Sequence, residues 1–166
     1  MESLAMWFAE TLGKYVSGEF VVFFISMIPL LELRGGLIVA KLLQISILKA
    51  IPLCIIGNII PIPFILLFIR QIFKWLKKVP GISKLIYKIE DRAMGKSDKI
   101  EQYEFWGLVL FVGIPLPGTG AWTGSLIAAL LEIDFKKAVL AELLGIAIAT
   151  IIMSFVSYGL LGVILG

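Results

Sequence analysis

The sequence predicts an all-α integral membrane protein made of two inverted repeats. Each repeat is a broken, re-entrant helical hairpin followed by a transmembrane helix, with amphipathic helices at the interface. Three observations carry this reading. The 166 residues are 60% hydrophobic, with a mean hydropathy of +1.02 and only 16% charged side chains, a balance that belongs to a bilayer rather than to water. Four long apolar runs follow one another, and the first three of them carry prolines and glycines inside. The first of these also holds an acid and a base.

Residues 1–19, MESLAMWFAETLGKYVSGE, place Leu4, Trp7, Phe8, Leu12 and Tyr15 at helical spacing opposite Glu2, Glu10 and Lys14. That pattern predicts an amphipathic helix lying at the interface, and without a basic leader it does not read as a signal peptide. Residues 20–43, FVVFFISMIPLLELRGGLIVAKLL, form the first broken hairpin. A straight helix of that length, at about 1.5 Å per residue, would overspan a hydrocarbon core of roughly 30 Å. Pro29 and the Gly35-Gly36 pair interrupt it. Glu32 and Arg34 sit between those breakers, and each costs about 3 kcal/mol if left ionised at the bilayer centre, so both must face protein or water. Non-helical backbone at that depth is tolerated only where it is buried or lines a cavity.

Residues 45–69 are long enough to cross, although Pro52, Asn58, Pro61 and Pro63 are expected to interrupt the helix. Asn58 either contacts substrate or hydrogen-bonds a neighbouring helix or a carbonyl freed by proline. The lone Cys54 reads as a small buried hydrophobe. In residues 70–104 the character changes: nine Lys or Arg against five Asp or Glu place the segment in the cytoplasm. Apolar stripes at Ile72, Trp75, Leu76 and Val79, then at Leu85, Ile86 and Ile89, are split by Pro80-Gly81. They predict two short interfacial helices whose Lys74, Lys77, Lys78, Lys84 and Lys88 meet anionic lipid headgroups. A positive-inside loop accounts for these charges, so nucleic acid is not an expected partner.

Residues 105–131 hold the second hairpin, FWGLVLFVGIPLPGTGAWTGSLIAALL, whose Pro115, Pro117, Gly118, Gly120 and Gly124 rule out one continuous helix. Residues 138–166 form the last transmembrane helix, apolar apart from Glu142. Its Ala141, Gly145 and Ala149 repeat at every fourth position, the small-residue stripe that lets helices approach closely, and predict a homo-oligomer through that face.

The halves superpose in sequence. Pro29 falls on Pro115 at an offset of 86, and Leu42, Leu43, Ile45, Lys49, Ala50 and Gly57 fall on Leu130, Leu131, Ile133, Lys137, Ala138 and Gly145 at 88. If each hairpin returns to its starting side, one crossing separates the repeats and they are inverted. If all four runs cross, the repeats are parallel. The inverted arrangement puts Lys41 and Lys49 outside, but it lets two hairpin tips share one polar place near the midplane.

Half-helices starting at Gly35-Gly36 and around Thr119–Gly124 would aim unsatisfied N–H groups and positive dipole ends at an anion. Arg34 adds a permanent planar donor, and Thr119, Thr123 and Ser125 add hydroxyls. Glu32 either holds Arg34 while the site is empty, takes a proton when substrate arrives, or simply clamps the hairpin. Glu142 is either a second relay group or an interfacial carboxylate near Lys136 or Lys137, and Trp122 either gates or packs. The absence of His and the single Cys exclude a His/Cys metal site, a disulfide framework and His-based catalysis. No cofactor is expected. An acid without nucleophile, metal or base partner is not an enzyme's site.

The signatures IPLLELRGG (Ile28–Gly36) and GIPLPGTGAWTGSL (Gly113–Leu126) resemble those of the small multidrug export family, and the likeness covers nearly the whole chain. That family is in turn distantly similar to the DedA/VTT membrane proteins, with facing re-entrant hairpins that move lipids or lipid-linked phosphates. The resemblance implies a multi-pass transporter of a bacterial or archaeal cytoplasmic membrane. Its cargo would be an amphiphilic anion such as a polyprenyl phosphate or phospholipid, or small amphiphilic drugs, with proton coupling through Glu32 and Arg34. Pro117, Gly118 and Thr119 would form the second tip, where Gly118-Thr119 replaces the Gly-acid pair of many DedA proteins. The alternative is an uncoupled lipid scramblase or a membrane-assembly factor.

Overall fold

The structure, a computed structural model, describes residues 17–95 and 98–160. The interfacial helix expected over 1–19 therefore lies outside the described residues up to residue 16, as do 161–166 of the last run. Among the described residues the chain is helices and turns, without a strand.

Helix α1 (Gly18–Met27) starts at Ser17, whose side chain accepts from the Phe20 amide at 3.4 Å, with Glu19 in the first turn complementing the dipole. It stops where Pro29 cannot continue it, in a turn that puts Leu30 at φ +74°. Helix α2 (Glu32–Leu42) follows, then α3 (Ile47–Ile59), α4 (Pro61–Leu76) and α5 (Ser83–Met94). Helix α6 (Asp98–Gly113) is broken at Glu104, where φ is +38° and ψ −98°. After a second proline-containing turn come α7 (Ala121–Leu130), α8 (Phe135–Ser154) and a π-helical turn, Phe155–Leu160.

Two helical runs are long and apolar enough to cross a bilayer, Ile47–Leu76 and Phe135–Gly159. Their 30 and 25 residues reach about 45 Å and about 37 Å at about 1.5 Å per residue, against a core of about 30 Å. Leu48, Ile56, Phe64, Phe68, Ile151 and Phe155 lie exposed along them, an apolar surface suited to lipid rather than to water. By contrast α1, α2, α7 and the apolar part of α6 (Tyr103–Gly113) are 10 or 11 residues each, about 15 Å. None of these four has the length to span that core as a single helix.

Of the expected interruptions Pro61 makes one: α3 ends at Ile59 and Pro61 opens α4, where its missing N–H is one the helix start leaves unbonded anyway, whereas Pro52 lies inside α3. One boundary is corrected: α4 does not stop at residue 69 but runs on to Leu76, so the first of the two interfacial helices expected in 70–104 is its last turns. Only α5 is separate, set off by a turn in which Gly81 has φ +90°.

The chain divides into two units, one of residues up to 60 with 146 onward, the other 61–145. In the first, α1 packs on α2 and α3, and α2 also on α3 and on the π-helical turn. Its core includes Val22, Ile25, Leu33, Leu37, Ala40, Ala50 and Cys54. In the second, α7 touches α4, α5 and α6. Its core includes Leu108, Val109, Val112, Ala121, Ile127, Ala128 and Ala138.

The same contacts occur in each unit. A Cβ on Gly57 would meet the Phe23 carbonyl oxygen at 2.6 Å and Ser26 Cβ at 2.9 Å. A Cβ on Gly145 would meet the Val109 carbonyl oxygen at 2.9 Å and Val112 Cβ at 2.6 Å. The glycines are 88 apart and their neighbours 86 apart. Gly36 abuts Ser26 and Cys54, and Gly124 abuts Val112 and Glu142, with the same offsets. Both second hairpin helices also end alike: Ile45 N–H bonds the Ala40 carbonyl at 2.9 Å and Ile133 N–H bonds the Ala128 carbonyl at 3.0 Å. The residue between, Gln44 or Glu132, has φ +57° or +58°, the left-handed stop of a Schellman cap made here without glycine. Leu30 and Gly118, 88 apart, have φ +74° and +76°.

Candidate functional site

The first hairpin bends at Ile28–Leu31, and Glu32 is the first residue of α2. Its φ is +50°, and its side chain is 4% exposed. The positive end of α2 favours a carboxylate there and disfavours Arg34, which lies half-buried in the same turn. An acid and a base two residues apart in a first turn therefore offset each other's field. The sequence places both charges at this bend, and the bend is where they sit.

Gly35 and Gly36 do not start the half-helix. They are in its second turn, and the Gly35 amide already donates to the Leu31 carbonyl at 2.7 Å. Their use is close packing: a Cβ on Gly36 would lie 2.0 Å from Ser26 Oγ and 2.8 Å from Cys54 Sγ, and one on Gly35 2.9 Å from Leu31 Cβ. Cys54 is a buried free thiol. Ser26, unremarked in the sequence, is fully buried and donates to the Val22 carbonyl at 2.8 Å. A lone serine in FVVFFIS is its only signal.

The second bend spans Ile114–Gly120. Pro115 is half-buried and Pro117 exposed, Gly118 and Gly120 take φ of +76° and +127°, and α7 starts at Ala121. The Thr119 hydroxyl lies 3.0 Å from the Ile114 carbonyl oxygen and 2.9 Å from that of Leu116, so it fastens the turn on itself. Trp122 and Thr123 are half-buried in the first turn of α7. Ser125 is fully buried one turn later and faces α8.

Of the two readings of Glu142, the interfacial one fails. Glu142 is not interfacial: it is 0% exposed, and Ser125 Oγ donates to its Oε2 at 2.8 Å. Neither Lys136 nor Lys137 takes it, since both are exposed and Lys137 is paired with Glu104. Gly124 keeps the wall beside the carboxylate open, a Cβ there falling 3.9 Å from Glu142 Oε1 and 2.8 Å from Val112. The equivalent position in the first unit holds Cys54. Asn58 is also buried, 3% exposed, and its Oδ1 accepts no hydrogen bond among the described residues.

In the small-residue stripe of the last run Ala141 and Ala149 are buried and Gly145 is pressed on α6, contacts made within the chain. At the hairpin bases, Lys49 pairs with Glu19 at 3.5 Å and Lys137 with Glu104. Arg70 pairs with Glu132 at the end of α7.

Residues 32–152, 121 of the 166, match a family model described as "Putative small multi-drug export protein". Neither a curated protein nor a solved structure matches the chain.

Proposed function

We propose a transport mechanism from one premise: this chain belongs to the small multi-drug export protein family. It moves an amphiphilic anion through the membrane, a polyprenyl phosphate or a phospholipid fitting best, or it exports small amphiphilic drugs. The observation that carries this is the burial of Glu32 beside Arg34 at the bend of a half-length hairpin. Each charge costs about 3 kcal/mol at that depth. A helix start, a guanidinium and an adjacent acid together form a site that an anion can enter by displacing Glu32 from Arg34. Glu32 then takes a proton, because a carboxylate stripped of its cation in a dry place no longer holds its charge. Glu142, held by Ser125, is the second buried acid and the second proton carrier.

The recurring contacts support an internal repeat, and the half-length helices support hairpins that return to the side they came from. One crossing between two such hairpins inverts the second. Replacing the charges (Glu32→Gln with Arg34→Ala) abolishes uptake of a fluorescent polyprenyl phosphate analogue and of an amphiphilic dye in proteoliposomes, with the fold intact by circular dichroism. Wild-type rates from that double variant would rule the mechanism out. An uncoupled scramblase is the second reading, favoured by the chargeless second bend and by the Thr119 hydroxyl being turned onto its own loop. It predicts flux unchanged when the pH gradient is collapsed.

A further inference from the structure

We propose that α5 and the end of α4 are a docking shelf for anionic phospholipid headgroups of the membrane that α4 crosses, whatever the cargo. Helix α5 has three faces. Ile86 and Ala93 are buried as it packs against α7 and α4. Beside them Ile82, Leu85 and Ile89, at spacings of three and four, form an exposed apolar stripe that no described residue covers. Next round the helix come Arg92, Lys88 and Lys84, all exposed, with only Asp91 adjoining.

At the end of α4 the lipid-facing line of Phe64, Phe68 and Ile72 runs into Trp75, with Lys74 and Lys78 exposed beside it. An indole that marks the headgroup level, continuous with an apolar stripe and edged by five cations that make no ion pair among the described residues, matches an anionic interface in both hydrophobicity and charge. A soluble acidic protein would match the charge but not the continuity with the membrane face of α4.

Lys77, expected at the headgroups, has another task. It is partly buried, paired with Glu90 of α5, and 4.7 Å from the centre of the Tyr87 ring. It ties α5 to α4 and so sets the tilt of the shelf, while Lys74, Lys78, Lys84, Lys88 and Arg92 meet lipid.

The test uses the full chain in nanodiscs of phosphatidylcholine with rising shares of phosphatidylglycerol. An environment-sensitive fluorophore sits on a cysteine replacing Leu85, in a Cys54→Ala background. Phosphatidylglycerol is expected to shift the emission to the blue and to bring the probe within reach of nitroxide-labelled lipid. Lys84→Gln and Lys88→Gln should each weaken the apparent affinity for phosphatidylglycerol about fivefold. High salt should reverse the shift in the unaltered protein, a readout that holds even if a variant folds poorly. A probe that stays aqueous in phosphatidylglycerol discs overturns the proposal, and so does one equally embedded in neutral lipid and indifferent to salt and to the two lysines.

Discussion

Gly57→Ala and Gly145→Ala should each destabilise the protein by about 2 kcal/mol. The added Cβ would stand 2.6 Å from the Phe23 carbonyl oxygen in one case, and 2.6 Å from Val112 Cβ and 2.9 Å from the Val109 carbonyl oxygen in the other. Ordinary carbon contacts lie near 3.5 to 4.0 Å. A flexible side chain could swing aside, but a backbone oxygen or a Cβ moves only with its helix, which puts the overpacking cost at the upper end of the usual range, about 3 kcal/mol. Alanine returns about 1 kcal/mol of helix propensity over glycine. The net, about 2 kcal/mol, is roughly a 30-fold loss in the folded-to-unfolded ratio at about 1.4 kcal/mol per tenfold. Unfolding in mixed detergent micelles, followed by tryptophan fluorescence, would read it directly. Gly159→Ala is the control, because nothing lies within 4 Å of its Cβ, and it should be neutral or slightly stabilising. If Gly57→Ala and Gly145→Ala behaved like Gly159→Ala, the close approach of each hairpin to its following helix would be wrong.

Gly36→Ala should be partly rescued by Ser26→Ala, since the 2.0 Å obstruction is the serine hydroxyl while its Cβ lies at 3.3 Å; the coupling in a double-mutant cycle measures it. Ser125→Ala should cost about 1 to 3 kcal/mol in the same unfolding assay by taking a donor from buried Glu142, and Glu142→Gln should lower proton-driven uptake more than it lowers stability. The Glu19 carboxyl is held below the usual range by its own amide at the start of α1 and by Lys49. A depressed carboxyl stabilises the fold above its unfolded value of about 4.3 and loses that contribution as the pH falls through its folded value. The stability gap between wild type and Glu19→Gln is therefore expected at neutral pH and should close in acid; a gap unchanged at low pH would remove the pair from the account.

Much of the architecture was legible because oil and punctuation are local properties. Hydropathy located the runs, prolines located the bends near Pro29 and Pro117, and the offsets of 86 and 88 anticipated which residues would be equivalent. The exact starts of the half-helices were not legible. Leu30 and Glu32 adopt positive φ without being glycine, which residue propensity does not announce, so Gly35-Gly36 draw attention that belongs three residues earlier. Glu142 stays between two readings in the sequence for a related reason. Its nearness to the lysines in sequence pointed to the interface, whereas Ser125, 17 residues away, takes it inward through tertiary contact. Periodicity likewise identified the Ala141-Gly145-Ala149 stripe as a contact face without saying whose, and α6 within the same chain supplies the contact at Gly145. The charges of residues 70–92 were read correctly as basic, but only coordinates separate Lys77, committed to Glu90, from its neighbours.

The most direct test of the central claim is the sidedness of the two hairpin bases. Cysteines replacing Glu19 and Lys137, one at a time in a Cys54→Ala background, would be labelled with a membrane-impermeant maleimide from each face of oriented vesicles. Two hairpins inserted from opposite leaflets predict that the two positions react from opposite sides. Reaction of both from the same side would contradict the inverted arrangement and leave four plain crossings in its place.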